Sequence, residues 1–214
     1  MKSQSIPKAM KYVLYLISLT FICFACSKNK STTVGIQPFD TFQQPLTDTI
    51  AHAIANFYHV KTTILPQREI PAAAFVNIKT PRYKADKIIK LQAQNKPDSL
   101  DYIVSLTNFD ISTDKKDEWG FVKKPVSKYA DWGIMGLAYR PGNSCIVSTF
   151  RLKNESERKF IERLKKVCIH EFGHNLGLPH CASKECVMRD AAETIKTIDG
   201  VKLALCAKCK EKIQ

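Results

Sequence analysis

The spacing of apolar positions changes several times along the chain, and each change marks an element. Behind Pro45, Leu46, Ile50, Ile54 and Phe57 recur at intervals of four, four and three, which predicts an amphipathic helix. Val60, Thr62 and Ile64 then alternate with their neighbours like a strand. Thr80 before Pro81 reads as an N-cap with proline at the first helical position, opening a helix through Ile88 and Ile89 that stops before Pro97. Residues 100–107 (LDYIVSLT) form a β-rich run, whereas residues 108–131 are charged and irregular, a loop long enough for a functional rim. Residues 132–139 (WGIMGLAY) and 144–150 (SCIVSTF) read as strands around a turn at Arg140-Pro141-Gly142-Asn143. Asn154 followed by Glu157 resembles a capping box. The helix it opens carries Ile161, Leu164, Cys168 and Phe172 on one face and has Gly177 at its C′ position. Cysteine-rich loops and a short final helix end the chain.

Helices and strands alternate and then give way to helix. The expected fold class is therefore α+β, a small mixed β-sheet with packed helices. Hydrophobic residues make up 44% of the 214 and charged residues 25%, which excludes disorder throughout, collagen and a simple coiled coil.

The N-terminus has its own pattern. Residues 1–25 contain Lys2, Lys8 and Lys11 and no acid, and residues 12–25 (YVLYLISLTFICFA) are uncharged and apolar. These 14 residues fall short of the roughly 20 that span a bilayer as a helix, so residues 1–25 read as a secretory signal peptide. Ala25 before Cys26 loosely resembles a bacterial lipobox, with Cys23 and Phe24 where leucine and a small residue are usual. Cys26 is thus a candidate lipid anchor, and the location expected is the bacterial cell envelope, facing periplasm or exterior. An ordinary cleaved signal, or an uncleaved anchor with Cys26 a bystander, is the alternative. Residues 26–45 are polar and punctuated by proline and glycine, which predicts a flexible tether. The folded domain is then residues 46–214, with an upper part (46–177) and a Cys-rich lower part (178–214).

The candidate chemistry lies near the C-terminus. Three of the five histidines stand in His170-Glu171-Phe172-Gly173-His174-Asn175-Leu176-Gly177-Leu178-Pro179-His180. Positions 170 and 174 lie one helical turn apart, about 40° from one another around the axis. Both imidazoles can reach one metal ion, while Glu171 points aside toward a water there. Gly177 can adopt positive φ and turn the chain back, so that His180 supplies a third nitrogen. Three protein ligands and one open position are the arrangement of catalytic zinc. Cys181, Cys186, Cys206 and Cys209 follow as two close pairs. Four such thiols suit a closed, structural zinc, and two disulfides are the rival in an oxidising compartment. Cys145 and Cys168 have no spacing partners and read as small buried apolar residues.

These residues resemble the archaemetzincin pattern, HExxHxxGxxH followed by C, x4, C, x, M, x17, C, x2, C. His170, Glu171, His174, Gly177, His180, Cys181, Cys186, Met188, Cys206 and Cys209 match every fixed position. Arg82-Tyr83, Leu106-Thr107 with Asp110, and Gly136-Leu137-Ala138 are weaker landmarks. The resemblance implies a zincin-like, metzincin-type metallopeptidase with two zincs, one catalytic and one structural. Met188 is then the Met-turn residue, Glu171 the general base, and residues 132–139 the edge strand for a peptide or protein substrate. Some members of the family are described as aminopeptidases.

Charge offers a rival. Lys and Arg number 33 against 20 Asp and Glu, a formal +13. Lys115, Lys116, Lys123, Lys124 and Lys128 line the long loop, and Arg158, Lys159, Arg163, Lys165 and Lys166 are expected on the exposed side of the histidine helix. With a CxxC they could belong to a zinc-ribbon nucleic-acid binder. A solvated basic face attracting anionic lipid or acidic peptides better suits an exported chain, so no nucleic-acid partner is expected. A catalytically inactive zinc- or peptide-binding envelope lipoprotein is the other alternative, and the intact Glu171 argues against it. The oligomeric state is not legible.

Overall fold

In the computed structural model, which describes residues 31–190 and 194–213, five strands form the main sheet in the order β2-β1-β5-β9-β8. They are β1 (Thr33–Pro38), β2 (Lys61–Ile64), β5 (Tyr102–Thr107), β8 (Gly136–Ala138) and β9 (Ser144–Ser148). The first four in spatial order run parallel, and β8 lies antiparallel at the edge beside β9. A second sheet runs β3 (Phe75–Asn77), β4 (Pro81–Lys84), β6 (Ile111–Thr113) and β7 (Trp132–Ile134). The α+β expectation with a mixed sheet holds.

Successive residues of a strand face opposite sides, and β9 shows the consequence. Cys145 and Val147 join a core with helices α1 (Gln44–Tyr58) and α4 (Glu157–Asn175), whereas Ile146 joins a second core with α2 (Ala85–Gln94). Cys145 and Cys168 are fully buried apolar residues, as expected. Leu178, Val187, Met188, Ile198 and Leu205 belong to the same core as Ile54, Leu164 and Phe172. The predicted upper and lower parts therefore share one hydrophobic interior.

Several expectations need correction. Residues 33–38, predicted as tether, form an interior strand with neighbours on both sides. Burial on both faces removes the alternation that marks a strand; even Gln37 is buried, its Nε2 donating to the carbonyls of Pro38 and Pro66. Thr80-Pro81 does not open a helix. Pro81 begins β4, where Arg82 and Lys84 are buried against Asp110, Asp114 and Asp131, and the helix starts only at Ala85. The run 132–139 is two strands, with the chain passing from one sheet to the other at Met135. Finally, the irregular segment contains β6 and the short helix α3 (Val126–Tyr129), and the end of the chain carries two helices, α5 (Ile195–Gly200) and α6 (Ala207–Lys210). The expected signal peptide, residues 1–25, and the candidate lipid anchor Cys26 lie outside the described residues. No helix among the described residues is long and apolar enough to cross a membrane.

Helix α4 begins with a cap on Ser156, whose side chain accepts from Lys159 N, while Asn154 Oδ1 accepts from Ser156 N. Arg163 and Lys166 are not on an exposed basic face. Both are buried: Arg163 forms two 2.7 Å bonds to the Asp199 carboxylate, and Lys166 donates to Ile198 O while pairing with Glu162. These bonds dock α5 on α4. Replacing Asp199 by Asn leaves Arg163 buried without its counter-ion, and we expect a loss of about 2 kcal/mol in urea unfolding, below the full buried-pair value because Asp199 is partly exposed. Hydrogen bonding from Arg163 draws the Asp199 carboxyl down to about 2. The wild-type advantage is therefore complete above about pH 4 and disappears as pH falls toward about 2. An unchanged gap between the two proteins across that window would contradict the assignment.

Candidate active site

Helix α4 delivers the first two histidines and the glutamate, and its end delivers the third histidine. Gly177 has φ +94, and the turn closes through Gly177 N to His174 O at 2.8 Å and Leu178 N to Gly173 O at 3.0 Å. A side chain is strained at that φ, which is why glycine stands there. The reversal brings His180 back, and one ring nitrogen from each of His170, His174 and His180 lies within 4.8 Å of the others.

The hydrogen bonds decide the tautomers. His170 Nδ1 faces Val187 O at 2.8 Å and His174 Nδ1 faces Leu178 O at 2.7 Å. A carbonyl only accepts, so both Nδ1 atoms carry the proton and both Nε2 atoms present lone pairs. Burial first, then neighbouring imidazole for His170, hold both rings neutral, with pKa values drawn down to about 4. Yet the two Nε2 atoms face one another at 3.0 Å. Two lone pairs at that distance repel unless a cation lies between them. Tetrahedral zinc holds its nitrogen ligands about 3.4 Å apart, so the donor set and its spacing fit zinc. The Nδ1 bonds to backbone carbonyls then fix each ligand's orientation from outside.

Glu171 is buried between α4 and the edge strand. A Cβ added to Gly136 would lie 2.6 Å from Glu171 Oε1, so the carboxylate occupies the space that glycine leaves on β8. Burial raises its carboxyl to about 8, and a cation at the three histidines would lower it again. Met188 is fully buried, and a Cβ on Gly173 would come within 2.5 Å of its Sδ. Met188 thus packs directly against the helix, at the residue preceding His174.

Some contributors carry weak or no signal in the sequence. Asp190 Oδ2 lies 3.6 Å from His180 Nδ1, an orienting partner two positions after Met188. Asn175 Nδ2 donates to Tyr139 O and Ser144 O, tying the end of α4 to the β8–β9 connection. Tyr58 donates to Ile169 O at 2.8 Å from a helix more than a hundred residues away, and nothing local announces it. The cleft in front of these groups has a volume of about 430 Å³. Ile134, Leu137, Val167 and Val201 supply apolar walls, and Arg140 and Arg189 bring positive charge.

The four cysteines form a second cluster, their sulfurs within 4.8 Å of one another. Cys181 and Cys206 sulfurs are 3.7 Å apart, and Cys186 and Cys209 sulfurs 3.8 Å. Sulfurs around tetrahedral zinc stand about 3.8 Å apart, against about 2.05 Å in a disulfide. The cysteines of the described residues are free, and the spacing fits a metal better than two bridges. The Cys209 N–H draws the Cys206 thiol down to about 7, while burial pushes Cys209 up. A divalent cation is what allows all four to be thiolates together. His52 and His59, by contrast, are exposed and far in sequence from either cluster.

Comparison with known proteins agrees with this chemistry. The model of peptidase family M54 matches residues 34–214. The archaemetzincin of Halobacterium salinarum strain R1 is 25% identical over 185 residues, covering 79% of this chain and 96% of the relative. That of Aeropyrum pernix is 38% identical over 80 residues, 37% of this chain and 43% of its own. Two crystal structures share the fold. Archaemetzincin from Methanopyrus kandleri superposes with a TM-score of 0.70 at 21% identity, covering 87% of this chain and 96% of its own. Archaemetzincin from Archaeoglobus fulgidus, complexed with malonate, gives 0.68 at 22%, covering 85% and 100%. The family match begins inside β1, the strand that the sequence alone disguised as a tether. The chain belongs to peptidase family M54, and it is a zinc metallopeptidase of the archaemetzincin family.

Proposed function

We propose that the protein hydrolyses peptide bonds with Glu171 as general base, one catalytic zinc on His170, His174 and His180, and a second, structural zinc on Cys181, Cys186, Cys206 and Cys209. The observation that carries this reading is the pair of Nε2 lone pairs facing one another at 3.0 Å, with Glu171 one residue along the same helix. Zinc bound there supplies a Lewis acid that acidifies water and polarises a carbonyl. The remaining steps belong to the chain. Among the described residues no strand pairs with the outer side of β8, so a substrate can add to it antiparallel, its main chain bonding to the edge. This places the scissile carbonyl against Glu171, which takes a proton from the attacking water. Glu171 then hands the proton to the departing amine. His170 and His174 keep their lone pairs aimed inward because their other nitrogens are bound to Val187 O and Leu178 O.

The N-terminal expectations complete the proposal. Residues 1–25 act as an export signal, and Cys26 carries the lipid that holds the enzyme in the bacterial envelope; the basic run at Lys2, Lys8 and Lys11 before an apolar stretch supports this. Peptide and protein substrates follow from the family, and an aminopeptidase preference is one form the activity takes. A peptide library with free and blocked N-termini tests both points. Hydrolysis should vanish with a chelator and return with zinc, and loss of turnover on blocked peptides alone would assign the aminopeptidase mode. Turnover that survives complete removal of metal would overturn the mechanism.

A further inference from the structure

Among the described residues, six of the exposed large hydrophobic side chains lie on or beside the second sheet: Phe75 in β3, Ile78 in the β3–β4 connection, Phe109 just before β6, and Trp119, Phe121 and Val126 between β6 and β7. The two most exposed, Trp119 at 74% and Phe121 at 72%, stand at the tip of one small hairpin. That tip is built, not loose. Asp117 Oδ1 accepts from Trp119 N and Phe121 N, Asp117 N donates to Phe121 O, and Gly120 N donates to Asp117 O with Gly120 at φ +86. Lys116 bridges to Val122 and Lys123 N donates to Lys115 O below it. The aromatics are therefore held outward on a backbone whose own polar groups are largely satisfied, the condition for entering an apolar medium at small cost.

Around the foot of the hairpin stand the exposed Lys116, Lys123, Lys124 and Lys128. Ile78 approaches from β3–β4, where Lys79 Nζ donates to Lys128 O and joins the two segments. A protein-binding surface depletes lysine and favours a flat apolar centre. A convex tip of Trp and Phe with a lysine collar matches instead a bilayer surface, where amphipathic rings sit among headgroups and ammonium groups meet lipid phosphates. We propose that the hairpin of residues 115–123 is an interfacial docking element for an anionic lipid bilayer. Lys115 and Trp132, at its foot, also line the catalytic cleft. Docking then presents the cleft to peptide chains close to the membrane surface.

The chain has two tryptophans, Trp119 and Trp132, so full-length Trp132→Phe reports on the hairpin alone. Its fluorescence is read with vesicles of phosphatidylcholine, with or without phosphatidylglycerol, carrying brominated acyl chains. The reporter distinguishes hairpin contact from any attachment made by the N-terminus, because only a tip that reaches past the headgroups to the upper acyl chains meets the quencher. We expect a blue shift and quenching in anionic vesicles, reversed by high salt and absent with phosphatidylcholine alone. Lys123→Ser with Lys124→Ser should move the lipid midpoint about 25-fold, from about a fivefold loss per lysine. Unquenched emission while the protein sediments with anionic vesicles would overturn the proposal. So would equal quenching in neutral vesicles, a concentration-dependent blue shift without lipid, which means self-association, or a Trp119→Ser variant whose defect is a raised KM on soluble peptides.

Discussion

Glu171→Gln should retain its zinc and its melting temperature and lose peptide hydrolysis by roughly 10² to 10⁴ fold. Glutamine fills the same buried slot beside Gly136, so packing changes little. The amide cannot accept the proton of the attacking water, and it cannot deliver one to the leaving amine. The three imidazoles are untouched, since the outer nitrogens of His170 and His174 bond to Val187 O and Leu178 O and that of His180 faces Asp190, none of them Glu171. Metal analysis, thermal unfolding and turnover on one peptide decide the matter together. Full turnover in the variant would remove Glu171 as the base. Loss of zinc along with activity would instead make Glu171 a structural support of the site.

The second large effect concerns the cysteines. Cys206→Ser or Cys209→Ser should lower the bound zinc from two per chain to one and destabilise the protein by more than about 4 kcal/mol. Binding energy at a structural metal is folding energy, and this site joins segments with little secondary structure of their own. Cys206 caps α6, Cys209 lies within it, and Cys181 and Cys186 flank the loop that leads to Met188. Val187 from that loop also holds His170 through its carbonyl. The damage should therefore reach the catalytic site, with weaker retention of the first zinc. A variant that melts like wild type with unchanged metal content would sink the second site. Thiol counting on the wild type separates zinc from disulfides, since four protected thiols released by a chelator are not bridges.

The reach of sequence reasoning differs between elements for physical reasons. α1 was legible because it buries one face and leaves the other wet, which writes a helical period into the residues; α4 was legible from the spacing of Ile161, Leu164, Cys168 and Phe172, although almost every residue from Lys166 to Asn175 is buried. β5 and β9 were legible as short β-rich runs. β1 was hidden, because an interior strand buried on both faces has no alternation to detect. β4 was misread because Pro81 suits a strand's first residue as well as a helix's first turn. Arg163 and Lys166 looked like a solvated basic face, and their partners Asp199, Ile198 O and Glu162 explain their burial. Two of those partners lie more than thirty residues away.

The two candidate metal sites divide in the same way. The candidate donor sets are legible along the chain, because one helical turn fixes the separation of His170 and His174 and Gly177 permits the reversal that brings His180 back. The four sulfurs are legible there as a group too. Their surroundings emerge only from the folded chain: which carbonyls fix the imidazole tautomers, how Gly136 makes room for Glu171, where Asp190 meets His180, and how far apart the sulfurs stand. Those contacts join residues distant along the chain, and short-range periodicity carries no information about which distant surfaces meet.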